Sequence, residues 1–161
     1  MGTTGRVIVC LAVALSGTPL EAQLRPGPGD PEPAQVTAEG CGRLAWLEGR
    51  WVGSGGGSDA FYEAFRALND STLEQTTYPD DRFAEPDGIS EIRFRDGRIF
   101  KVRDGEVESV ITGLSGDTIQ LERVPPAAGG YAWIRVDDDT WRAVLERPRG
   151  EPVVYTLRRI R

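Results

Sequence analysis

The side chains in this sequence that could do chemistry are mainly acids. Glu63 alternates with Phe61 and Phe65, and Glu91 alternates with Ile89 and Arg93, so each acid shares one face of an extended segment with those neighbours. If both faces point into one interior, two carboxyls and a guanidinium approach a shared cavity. A buried, unpaired Glu has a raised pKa and can give or take a proton. The plainer reading pairs Glu63 and Glu91 with Arg93 or Arg66 to close one end of the fold. Phe65, Tyr78, Trp133, Trp141 and Tyr155 suit either a packed core or the wall of a ligand site.

Other chemistry is limited by what the composition lacks. The 161 residues include no histidine, which removes Ser-His and Cys-His nucleophile pairs, the usual zinc triads and the common proton shuttle. No metal ligand set and no cofactor are expected. Lys101, on a strand beside a turn, reads as a solvated residue and not as the partner of a serine nucleophile. Gly53 to Ser58 is glycine-rich, but no Lys-Ser or Lys-Thr follows, so it is a turn and not a phosphate cradle. Asp137-Asp138-Asp139 lacks the alternating ligands of a calcium loop and reads as a polar hairpin tip. The net charge of −6, with arginines scattered among acids, argues against nucleic acid as a partner.

The elements that must position these residues are short strands. Leu44 to Leu47 suggests a short helical lid, Gly49 to Gly53 a first strand, and Gly53 to Ser58 a turn. From Ala60 to Leu68 both alternating faces are partly apolar, which suits a barrel wall, with a short helix as the alternative. Asp96-Gly97 and Asp104-Gly105 favour the positive φ of tight hairpin turns. With Thr72 to Tyr78 and the later runs to Ile160, the pattern gives about ten strands and no long helix, hence an all-β, antiparallel, up-and-down meander. Closing it into a barrel removes exposed edges.

Ahead of this domain, residues 1–22 read as a signal peptide, with Arg6 before the apolar run Val7 to Leu15 and Ala22 as the last residue removed. The run is too short to span a bilayer, which needs about 20 residues. A periplasmic or secreted location follows. Residues 23–40, rich in Pro and Gly, read as a flexible tether, and 41–161 as the barrel. Cys41 is then the sole remaining thiol and reads as a packing residue.

Gly49-Arg50-Trp51 on the first strand, with an arginine near the end of the last, resembles the lipocalin and calycin superfamily. That resemblance implies that Trp51 closes one barrel mouth and that Arg159, or else Arg161, packs over its ring. Trp46 to Trp51, Tyr62-Glu63-Ala64-Phe65, Ile89 to Phe100 and Tyr155 to Arg159 are together similar to an uncharacterised family of exported bacterial lipocalin-like domains. Val124 to Gly130 departs from that family's Asn-Pro and His-Asp-Phe-Pro segment. The opening also resembles nitrobindin-type haem barrels, which hold iron through a late histidine that this chain lacks; Tyr131 or Tyr155 would have to substitute. The expected function is a non-catalytic carrier of a small, largely apolar ligand. An isomerase or hydrolase using Glu63 and Glu91 is the alternative, and an interaction module using its rim loops a third.

Overall fold

The computed structural model describes residues 29–37, 40 and 42–161. The signal-peptide assignment and Cys41 lie outside the described residues. Ten strands form one closed antiparallel barrel: β1 (Gly49–Gly55), β2 (Ser58–Asn69), β3 (Thr72–Tyr78), β4 (Gly88–Arg95), β5 (Arg98–Arg103), β6 (Glu106–Ser115), β7 (Thr118–Arg123), β8 (Gly130–Arg135), β9 (Thr140–Leu145) and β10 (Val153–Ile160). Each strand pairs with its neighbours in sequence, and β1 pairs with β10 to close the ring, with Trp51 opposite Arg159. The segment with mixed faces, Ala60 to Leu68, is strand throughout. Where the short N-terminal helix is expected, Ala45–Leu47 forms a 3₁₀ turn.

The hairpin turns follow from local chemistry. Asp96 and Gly97 have φ of 50° and 74°, and Asp104 and Gly105 have 52° and 84°, so both Asp-Gly pairs adopt two successive left-handed residues. That geometry matches the right-handed twist of the flanking strands and fixes their register.

Inward residues from all ten strands fill one half of the barrel. Trp141 lies at the centre of an edge-on aromatic group, with ring centroids 5.7 Å from Trp133, 6.1 Å from Phe65 and Trp46, and 6.2 Å from Trp51. Ile92, Ile99, Ile111, Ile119 and Leu157 complete this buried layer. A smaller cluster of Phe100, Val102 and Val110 occupies the opposite face of β5 and β6.

Part of the segment read as a tether is docked on this framework. The pairing of β5 with β6 ends at Phe100 opposite Val110. Beyond that point the Ile111 carbonyl accepts the Ala34 N–H at 2.8 Å, and the Gly97 carbonyl accepts the Val36 N–H at 2.7 Å. Pro33 is fully buried and Val36 packs against the main core. Backbone groups left over where two strands diverge need partners, and this stretch provides them.

Candidate functional site

The two mouths of the barrel are built differently. At the mouth where β1 begins and β10 ends, the Trp51 indole N–H donates to the Leu47 carbonyl at 2.7 Å. The Arg159 guanidinium carbon lies 4.2 Å from the centroid of the Trp51 ring. Its N–H groups donate to the carbonyls of Glu48 at 2.5 Å, Trp46 at 3.0 Å and Asp138 at 3.0 Å. Gly49 makes this possible, since its φ is +124° and a Cβ there would collide with the guanidinium. Asp139, in the expected hairpin tip, adds an ion pair to Arg159 at 3.5 Å and another to Arg161. The lid is therefore fastened to the last strand through one side chain.

The opposite mouth leads to a cavity of about 220 Å³. One wall is apolar: Phe61, Trp133, Trp141, Ala143, Leu145 and Leu157, with Tyr155 beside Phe61 at a ring distance of 5.4 Å. The other wall carries Glu63, Gln75, Lys101, Glu108, Arg123 and Tyr131. A Cβ at Gly53 would fall on the Phe61 ring, so this glycine gives the aromatic its place in the lumen.

The polar wall is only partly satisfied. Lys101 Nζ lies 3.2 Å from Glu108 Oε2, and Arg103 Nε lies 3.8 Å from the same oxygen. The Arg123 guanidinium carbon stacks 5.0 Å from the Tyr131 ring centroid, and the Tyr131 hydroxyl bonds Ser109 Oγ at 3.0 Å. Burial pushes the Tyr131 hydroxyl up to about 12. It also raises Glu63 above the ordinary carboxylate value, against the lowering effects of Lys101 and a hydrogen bond from Gln75. Five buried side-chain polar atoms lack a hydrogen-bond partner among the described residues. Four belong to residues lining this cavity: Glu63 Oε2, Gln75 Oε1, Glu108 Oε2 and Trp141 Nε1. The ion pair to Lys101 compensates the Glu108 oxygen, but the other three atoms are unmet. Each such group costs about 1–3 kcal/mol, so their concentration in residues lining one space makes it the candidate site.

The structure gathers some of the residues read from sequence and separates others. Glu63, Trp133, Trp141 and Tyr155 line the cavity. Phe65 lies beneath it, 6.0 Å from Trp133. Glu91 and Arg93 do not reach the lumen. They face outward and pair with each other at 2.5 Å, because Ile92 between them takes the inward position at 1% exposure. Tyr78 is also outside, its ring packed 5.0 Å from Phe83, over which Arg50 lies at 4.9 Å. The expected pairing of Glu63 with Arg66 or Arg93 is absent, since Arg66 engages Glu74 at 2.9 Å. Lys101 is not solvated: it is buried at 8% exposure, facing the lumen. Gln75, Arg123 and Tyr131 are site residues that periodicity alone did not single out. The inward parity of β3, β7 and β8, set by Leu73, Leu121 and Trp133, was the available signal.

The fold and cavity define a closed ten-stranded antiparallel barrel with a lid over one mouth and a half-polar cavity at the other. No protein-family model matches the chain, and no curated protein matches it. Among solved structures, a redesigned beta barrel is similar at 13% identity and a TM-score of 0.35, over 74% of this chain and 96% of that one. Among the described residues, no cluster of His, Cys, Asp or Glu could hold a metal ion, and no helix is long and apolar enough to cross a membrane.

Proposed function

We propose that this chain is an exported, lipocalin-like barrel that binds a small ligand with a mainly apolar body in its open mouth, without catalysis. One observation carries the reading: three unmet buried polar atoms, Glu63 Oε2, Gln75 Oε1 and Trp141 Nε1, belong to residues lining one cavity that also has an aromatic and aliphatic wall. A folded chain tolerates such atoms where a bound molecule completes them. The volume, about 220 Å³, lies below the range of about 300–1,000 Å³ typical of drug-sized ligands, so the occupant is a single ring or a short chain. The separation of Glu63 from Glu91 takes away the expected carboxylate pair; the other acid lining the cavity, Glu108, is engaged by Lys101 and Arg103.

The Gly-x-Trp opening and the Arg159 stack on Trp51 support the lipocalin-like assignment. The export part rests on Arg6, the apolar run Val7 to Leu15 and Ala22. Native mass spectrometry of the full chain from its own host is expected to show a small molecule travelling with the protein and Gln23 as the first residue. Ala143→Phe, which fills the cavity, is expected to abolish that adduct. An adduct that persists unchanged in this folded variant sinks the proposal.

A further inference from the structure

Resting on the ligand-binding reading, the cavity's two cations indicate the chemistry of the ligand's head. Lys101 is occupied, with Nζ 3.2 Å from Glu108 and Glu63 close enough to feel its charge. Arg123 is not. It is half-buried and lines the cavity, yet among the described residues no acid lies within ion-pair distance and no side chain accepts from it. Among the described residues its side-chain partner is the ring of Tyr131 beneath it, whose hydroxyl is anchored by Ser109. Stacking fixes the plane of a guanidinium while leaving its edge of N–H donors free. The other tryptophan- or tyrosine-stacked arginine, Arg159, has its donors taken by three carbonyls. A flat, oriented and unused donor edge matches the two oxygens of a carboxylate.

We propose that Arg123 receives the carboxylate of a small amphiphilic acid, whose ring or short chain lies along Trp133, Ala143 and Leu145. The acids in the same cavity do not oppose this. Glu108 faces two cations, Lys101 and Arg103, and burial drives Glu63 toward its neutral form. The chain's charge of −6 repels anions at long range, but salt screens that field beyond about 10 Å at 0.1 M. Any preference for an acid is therefore local to the mouth.

Isothermal titration of the full chain with 3-phenylpropanoate and its neutral isostere 3-phenylpropanamide tests this at pH 7. The acid is expected to bind about tenfold more tightly than the amide, a difference worth about 1.4 kcal/mol. Arg123→Gln should bring the two within about twofold, Arg123→Lys should retain part of the preference, and added salt should reduce it. Equal affinities in the wild type, or an undiminished preference in Arg123→Gln, overturn the assignment and leave ligand binding standing. Binding of neither probe overturns both. Circular dichroism establishes that the variant is folded, and should Arg123→Gln not fold, Arg123→Lys and the salt dependence decide.

Discussion

Arg159 and Arg123 each lie over an aromatic ring, at 4.2 Å from Trp51 and 5.0 Å from Tyr131, at opposite mouths of one barrel. At the sealed mouth the guanidinium also bonds three carbonyls of two different loops, so ring, lid and last strand are tied together. At the open mouth the same stack has no further side-chain partner among the described residues. The contact with the ring is similar in both; what differs is the supply of acceptors around it. Where the backbone presents carbonyls, an arginine is structural, and where the wall presents only a ring, its donors remain for another molecule.

The largest test of that contrast removes each arginine in turn. Arg159→Ala loses the stack and leaves three carbonyls to find new partners, and is expected to cost about 2–4 kcal/mol in urea unfolding. Arg123→Gln loses only its stack on Tyr131 and is expected to cost about 0.5–1 kcal/mol in the same assay. Similar losses for the two would erase the distinction between the mouths.

A second variant sharpens the sealed side. Gly49→Ala puts a Cβ at φ +124° against the guanidinium, with an expected loss of about 1–3 kcal/mol. Combined with Arg159→Ala, the losses should be less than additive, because the clash disappears with its target. Full additivity would mean that backbone strain alone accounts for the glycine.

On the open side, Glu63 gives a pH signature. Its folded-state pKa is raised above the ordinary 4.5, so its contribution to stability is fully present below that value and is lost as pH rises through the folded-state pKa. Glu63→Gln abolishes this loss. The variant is expected to melt higher than wild type at pH 7 and at the same temperature at pH 4, and a variant less stable at pH 7 would contradict a buried, poorly compensated carboxyl.

The smallest effect is expected at Glu91. Its pair with Arg93 is on the outer face with both side chains about a third exposed, at 30% and 28%. Glu91→Gln should change stability by no more than about 1 kcal/mol and leave probe binding unchanged. A loss of binding would place Glu91 in the site after all.

These residues also show how far periodicity reaches. In β4, Ser90, Ile92 and Phe94 form the more apolar parity, and Ile92 and Phe94 do face the core, which carries Glu91 and Arg93 outward. In β5 the rule inverts: Phe100 and Val102 are on the outer face in their own cluster, while Ile99 and Lys101 face the lumen. A cavity with a polar wall draws charge inward, and hydrophobic alternation read from one strand cannot reveal that. Tyr78 fails for a related reason, because Phe83 from the following loop covers it on the outside.

The all-β meander was legible in the amino-acid order, because turn chemistry such as Asp96-Gly97 and period-two alternation are local properties that neighbouring residues decide. The resemblance carried by the Gly-x-Trp opening implied a Trp51 closure by Arg159 or Arg161, and Trp51 lies opposite Arg159 where β1 meets β10. Only the tertiary structure decided which side chains share the cavity. Membership there depends on how ten strands are staggered around the ring, a property of no single strand, and that stagger brought Lys101, Gln75 and Arg123 to Glu63 while turning Glu91 away.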